Sequence, residues 1–190
     1  MEPAYRPDEW RDLFVMIGTA AGALVGLLFV VISLHIERII DRSDANMRMT
    51  VEGARNNTYH LLTVLIEAAI VLAPQPPLLM GAELIAVNLF GLRLPLSIAA
   101  RYLGQNVTIS ERGGFPTRLI LTIIGAYLLG AAGGAAVALR AEWALYLVAL
   151  SCMIKIVRTV LTAWMLMFGM FHDAAAPQPA GASAKAKAKA

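Results

Sequence analysis

Four charged side chains lie inside long apolar stretches of the sequence, and these residues are the best placed to do chemistry. Glu67 and Glu83 supply two acids, and Lys155 and Arg158 supply two bases. Charges buried in a membrane are costly and usually face a bundle interior or a cavity. Two hypotheses stay open: a proton or ion pathway or polar ligand cavity with Asn88 nearby, or interhelical bonds that fix helix register or dock a partner's charged helix.

The positions of these charges around a proline-rich turn predict which of them pair. Glu67 lies seven residues before the turn at 74–77 and Glu83 six residues after it. A helical hairpin therefore puts both acids ~10 Å below one membrane surface at ~1.5 Å per residue. Side chains lean toward the N-terminus of their own helix, so Lys155 leans toward that surface and Glu67 away from it. We predict a Glu67–Lys155 ion pair and leave the partners of Glu83 and Arg158 open.

The other residues that often do chemistry lack a catalytic or metal-binding spacing. No histidine stands at i, i+4 from another or in an HExxH motif, so His35, His60 and His172 are interpreted as ordinary interfacial residues. The single cysteine, Cys152, excludes a disulfide framework and a cysteine metal site. No serine stands in a GxSxG elbow. We predict a protein that is not an enzyme and that uses no cofactor and no metal.

The composition is that of a membrane protein. Of the 190 residues, 58% are hydrophobic and 15% charged, and the net charge is +3. Soluble domains are closer to roughly 45–50% apolar and roughly 25% charged. A basic folded surface with aromatic residues, which nucleic-acid binding requires, is missing from the pattern. The lipid bilayer is therefore the expected environment, and nucleic acid is excluded as a partner.

Five apolar stretches predict an all-α bundle of about five transmembrane helices in one domain, 13–173. A helix needs about 20 apolar residues to cross a ~30 Å hydrocarbon layer. The first stretch has no acid, lysine or arginine over more than twenty positions, and the second is short. The two charges of the fifth leave a re-entrant or surface segment as its alternative. The predicted spans are about 13–35, 58–73, 78–102, 118–139 and 144–170.

The distribution of positive charge predicts the orientation of the bundle. Eleven lysines and arginines fall in the polar connections 36–57 and 93–118 and in the tail, against three on the opposite side. Cytoplasmic loops carry the excess of positive charge. We therefore predict an extracytoplasmic N-terminal segment, 1–12, retained rather than cleaved, and a cytoplasmic C-terminus. The tail 174–190, rich in alanine, proline and lysine, is predicted to be disordered.

Two ridges of small residues predict close packing of helices. Apolar helices in lipid associate through close backbone contact rather than through the hydrophobic effect. We expect the two ridges to pack on each other within one chain, with a homo-oligomer interface as the alternative. The ridges are Gly18, Gly22 and Gly26 in the first span and Ala126, Gly130 and Gly134 in the fourth.

The first span also has a distinctive residue pattern: Trp10, Leu13, Phe14, Gly18, Ala20, Ala21, Leu24, the run Gly26 to Val30, Ser33 and Leu34. This pattern resembles the first helix of a group of small, uncharacterised bacterial multi-pass membrane proteins. Some of them are labelled as modulators of a membrane protease. The resemblance implies a bacterial inner membrane and no established activity, and it assigns no functional residue.

These observations lead to two hypotheses of function. The first is a non-enzymatic accessory or regulatory subunit that acts through helix–helix contacts with another membrane protein or a second copy of the chain. The second is a small transporter or oligomeric channel that uses the four intramembrane charges, Glu67, Glu83, Lys155 and Arg158.

Overall fold

The computed structural model describes residues 7–41, 45–104 and 115–175, in which every regular element is helical. A short 3₁₀ turn precedes five α-helices. The sequence predicts an all-α chain with this number of helices. The helices are α1 Arg11–Asp41, α2 Ala45–Leu72, α3 Pro77–Gly104, α4 Phe115–Ala138 and α5 Ala144–Ala175. The N-terminal residues 1–6 and most of the predicted tail, 176–190, lie outside the described residues.

The helices run alternately up and down, which gives the bundle two different ends. The hairpin end holds the turn 73–76 between α2 and α3 and the turn 139–143 between α4 and α5. The loop end is the opposite end, where α1 and α3 finish and α2 and α4 begin. Helix α2 packs against α1, α3 and α5, and α4 packs against α3 and α5. Helices α2 to α5 therefore form a four-helix ring, with α1 on the outside of α2.

Residues 36–41 and 45–57 are helical, although the sequence predicts a polar connection over 36–57. Helix α1 continues to Asp41 and α2 already begins at Ala45. Charged residues such as arginine and glutamate are good helix formers, so a polar composition does not by itself end a helix. At the second loop the difference from the predicted spans is small, since α3 extends to Gly104 and α4 begins at Phe115.

Both turns at the hairpin end have clear local causes. Pro77 takes the first position of α3, where its missing N–H costs nothing. Gln75 braces the turn by donating from Nε2 to the carbonyl of Ile70 at 3.0 Å. At the end of α4, Arg140 adopts a left-handed conformation with φ 57°. Ala141 N–H then bonds the carbonyl of Ala136, at 3.0 Å, in a Schellman-type helix end.

The outside of the bundle is largely apolar and its inside contains charged side chains, which is unlike a soluble protein. Phe29 is 72% exposed and Leu121 63% exposed, whereas Glu67 and Lys155 are fully buried. Four helices contain segments long and apolar enough to cross a membrane: Arg11–Val30, Pro77–Ser97, Ile120–Ala138 and Ala144–Trp164. These features support a multi-pass membrane protein.

Helix α2 is the predicted span that does not meet this criterion. Its polar residues explain the difference, because Asn57, His60 and Glu67 lower its average hydropathy although all three are fully buried. A count along the sequence does not distinguish a residue that faces lipid from one that faces the other helices.

The interior is divided into an apolar half and a polar half. The hairpin half holds a continuous apolar core that includes Phe14, Ala68, Leu84, Val137 and Val148. Toward the loop end α2 and α5 bury polar residues beside the apolar Leu61 and Val64: Asn57, His60, Thr63, Glu67, Lys155, Arg158 and Thr159. The boundary between the two halves lies at the level of the buried acid and base.

Candidate functional site

An ion pair between Glu67 of α2 and Lys155 of α5 forms the centre of the site. Lys155 Nζ lies 2.6 Å from Glu67 Oε1, and neither side chain is exposed. The predicted pair is therefore present. The antiparallel course of α2 and α5 brings the two side chains together, because each leans toward the N-terminus of its own helix.

Two neighbours complete the hydrogen bonds of this pair. Lys155 Nζ also donates to Asn88 Oδ1 of α3 at 2.8 Å, and Cys152 Sγ donates to Glu67 Oε2 at 3.0 Å. The amide of Asn88 is held in turn by its own helix, since its Nδ2 donates to the carbonyl of Leu84 at 2.9 Å. A buried ion pair offsets the cost of desolvation only when its remaining donors and acceptors are satisfied in this way.

Tyr127 of α4 covers the pair from a third side. Lys155 Nζ lies 4.4 Å from the centre of the Tyr127 ring, which is a favourable position for a cation over an aromatic face. The hydroxyl of Tyr127 lies 2.8 Å from His60 Nδ1, and it lies 3.4 Å from Thr63 Oγ1. Tyr127 is thus the connection between the ion pair and the polar loop-end half of α2.

The other two predicted charges lie apart from this pair. Glu83 is half-buried near the hairpin end, where its Oε2 accepts a hydrogen bond from Gln75 Nε2 at 2.9 Å. Arg158 lies one turn beyond Lys155 toward the loop end and donates from Nη1 to Thr162 Oγ1 at 3.0 Å. The four charges of the sequence pattern therefore form one central pair, with Glu83 on its hairpin side and Arg158 on its loop side.

The glycine ridges do not pack on each other as expected. A Cβ at Gly18 would touch Ala68 of α2, whereas one at Gly22 or Gly26 would meet none of the described residues within 4 Å. On α4, Gly134 approaches the backbone of Gly81 on α3. Spacing along a helix defines a narrow ridge, but only the arrangement of the bundle determines which neighbour fills it.

The α4 ridge contributes directly to the site. A side chain at position 130 would collide with the amide of Asn88, so Gly130 leaves the space that Asn88 occupies. Ala126, one turn earlier, accepts a hydrogen bond at its carbonyl from Ser151 Oγ of α5 at 2.7 Å. The ridge thus packs against α3 and α5 on either side of the buried pair.

His60 and Tyr127 are functional-site residues that the sequence alone did not reveal. His60 is fully buried between the helices, where its ring bonds Tyr127. The available signal was its spacing, because His60 precedes Glu67 by seven residues and so lies on the same face of α2. No pattern in the apolar sequence of α4 distinguished Tyr127.

The described residues contain no group of three histidines, cysteines or acids that could hold a metal ion. They do form an open cavity of about 200 Å³ between α1, α2 and α5, with a largely apolar lining. Its lining residues are Leu24, Leu27, Leu28, Leu61, Thr159, Val160, Ala163 and Trp164. None of the four intramembrane charges lines it.

Compared with known protein families, curated proteins and solved structures, the chain has no match.

Proposed function

We propose that this chain is a non-enzymatic accessory or regulatory subunit of a bacterial inner membrane, with five transmembrane helices. Its N-terminus lies outside and its loop end in the cytoplasm. The excess of lysine and arginine at the loop end supports this orientation, and the resemblance of the first helix supports the bacterial membrane. The inward position of the polar face of α2 supports a fifth span.

The outer face of α1 is the observation that carries the accessory function. Only 17% of its membrane segment is buried, against 44% for α4 and 50% for α5. Gly22 and Gly26 lie open on this helix, whereas Gly130, Gly133 and Gly134 of α4 face neighbouring helices closely. Small residues let the backbone of a second helix approach closely in lipid. We infer that this face binds a transmembrane helix of another membrane protein.

The buried charges are used within the chain, which favours the same function. Glu67 and Lys155 neutralise each other, and Asn88 and Cys152 complete their hydrogen bonds. An apolar core lies between this pair and the hairpin end. A pathway for ions would need this core to open.

Photo-crosslinking in native membranes tests the proposed contact. Val15 and Phe29 are exposed and lie seven residues on either side of Gly22, on the same face of α1. A photo-reactive amino acid at either position should give a specific adduct, and Gly22→Leu should abolish it by blocking the approach of the partner helix. Mass spectrometry of the adduct distinguishes a different protein from a second copy of the chain.

The matched control uses α4, where Gly125 is also open and Leu121 is exposed. Gly125→Leu should leave the α1 adduct intact, and a crosslinker at Leu121 should give no adduct that depends on Gly22. If every position gives only the monomer, the accessory function is wrong.

The polar half of the interior favours a small transporter as the second candidate. Asn57, His60, Thr63 and Glu67 follow one another along buried positions of α2 toward the ion pair. Reconstituted protein would then carry an ion or proton flux that Glu67→Gln abolishes. A flux equal to that of empty liposomes at every pH would exclude this candidate and leave the accessory function untouched.

A further inference from the structure

Buried polar atoms without hydrogen-bond partners are concentrated on the loop-end side of the ion pair. Asn57 and His60 are fully buried and Thr159 is 2% exposed. Within the described part of the chain, no partner is found for Nδ2 or Oδ1 of Asn57, for Nε2 of His60 or for Oγ1 of Thr159. In contrast, the polar atoms around Glu67 are bonded to one another.

These atoms lie in one region of the bundle. Asn57 and His60 are one turn apart on the same side of α2. Thr159 follows Lys155 by one turn on α5, and the Glu67–Lys155 pair fixes α5 against α2 at this level. At ~1.5 Å per residue, Thr159, His60 and Asn57 lie about 6, about 10 and about 15 Å from the level of the ion pair. The unpartnered groups therefore form a row along α2 and α5 that leads from the pair toward the loop end.

A dry interior does not account for these residues. Each buried polar group without a partner lowers the stability of the fold, so leucine or valine would be more stable at these positions in a dry core. The problem at Asn57 does not depend on how its amide is oriented, because both its oxygen and its nitrogen lack partners. Something other than the described residues must complete these hydrogen bonds.

The chemistry of the groups selects the ligand. The amide oxygen of Asn57 requires a donor and its nitrogen requires an acceptor, while the hydroxyl of Thr159 takes either. A fully ionised inorganic anion supplies hydrogen-bond acceptors but no donor. A metal cation supplies neither a hydrogen-bond donor nor an acceptor. Water supplies both, and a polar site with two to four partners holds it stably.

We propose that Asn57, His60 and Thr159 line a hydrated pocket that opens at the loop end and binds ordered water. The pocket ends at Tyr127 and the Glu67–Lys155 pair, and the apolar core separates it from the hairpin end. Water therefore reaches the buried pair from one side of the membrane only. This proposal is independent of whether the outer face of α1 binds a partner.

Cysteine accessibility tests the pocket. In a Cys152→Ser background, which keeps a donor for Glu67, single cysteines are introduced as Asn57→Cys and Thr159→Cys. Val137→Cys and Val148→Cys are the controls, because these valines are equally buried but belong to the apolar core near the hairpin end. Membranes are treated with silver ion, which is close to water in size, and the thiols left free are counted with a maleimide after unfolding.

We expect silver to block the two pocket cysteines at least about tenfold faster than the controls, since a thiol in a dry core reacts only through local unfolding. Equal rates at all four positions would overturn the proposal. Thr159→Cys alone carries the test if Asn57→Cys does not fold, because the change at 159 is nearly conservative in size.

Thr159→Val gives a second measurement, because the melting temperature should change in opposite directions for a hydrated and for a dry hydroxyl. Valine has the shape of threonine without its hydroxyl. If water bonds that hydroxyl, the variant should melt at a lower temperature in detergent, because the hydrogen bond is lost. If the hydroxyl is a dry orphan, its removal should raise the melting temperature, and the hydrated pocket is then wrong.

Discussion

Asn88 fills the space that any side chain at position 130 would occupy. Gly130 of α4 faces its amide directly, and Oδ1 of that amide accepts a hydrogen bond from Lys155 at 2.8 Å. A missing side chain on one helix thus allows a polar side chain on a second helix to bind a charge on a third. Here the glycine makes room for a polar side chain, whereas the small residues were expected to let two helix backbones come into contact.

Gly130→Ala should therefore destabilise the protein by about 1–3 kcal/mol, because the added methyl group must displace Asn88 from Lys155. Gly125→Ala in the same helix is the matched control, since a Cβ there meets none of the described residues. It should be neutral or stabilise the helix by up to about 1 kcal/mol. Denaturant titration in mixed micelles measures both changes, and equal stabilities would show that Asn88 is not held in this way.

Breaking the buried ion pair from one side should be strongly destabilising. Glu67→Gln or Lys155→Met alone should cost about 3–5 kcal/mol, because each leaves an uncompensated buried charge, whereas the double variant should recover most of the loss. Glu83→Gln, at a half-buried acid outside the pair, should change stability little. The three variants of the cycle are compared by thermal unfolding in detergent. A double variant as unstable as the singles would mean that Asn88 and Cys152 make the charges part of a wider network.

Tyr127 should contribute through both its hydroxyl and its ring. Tyr127→Phe removes the bond to His60 Nδ1 but keeps the ring over Lys155, so we expect a loss of about 1–2 kcal/mol. Tyr127→Leu should cost more, because the cation loses its aromatic face as well. The free energies of unfolding of the two variants separate the contributions, and identical losses would exclude a role for the ring.

Arg140 is the residue at which a glycine should improve the protein. Its φ of 57° is strained for a residue with a side chain, and glycine adopts this conformation freely at a helix end. Arg140→Gly should raise stability by up to about 1 kcal/mol, seen as a higher melting temperature in detergent. Arg140→Ala keeps the strain and removes the same charge, so it should not share the gain. A gain of equal size in both variants would assign the effect to the charge instead.

The pairing of Glu67 with Lys155 was predictable because it depends on two properties that the sequence contains. These are the distance of each residue from a turn and the direction in which helical side chains lean. The five helices and their two sharp turns were predictable for a related reason, since apolar length and proline position act locally. The extent of α2 was not predicted, because the thirteen residues before its apolar part, 45–57, include seven polar ones and resemble a loop in composition while being compatible with a helix.

The sequence by itself determined that the chain is helical, that its exterior suits lipid and that it buries charge. Only the tertiary structure decided which helices meet, because several apolar faces with glycines are interchangeable as packing surfaces and differ only in the shape of the assembled bundle. That arrangement brings Asn88, Tyr127 and Cys152 around the ion pair from three different helices. It also leaves Gly22 and Gly26 open on α1. On the loop-end side of the ion pair it buries Asn57, His60 and Thr159, whose polar atoms require a ligand to complete their hydrogen bonds.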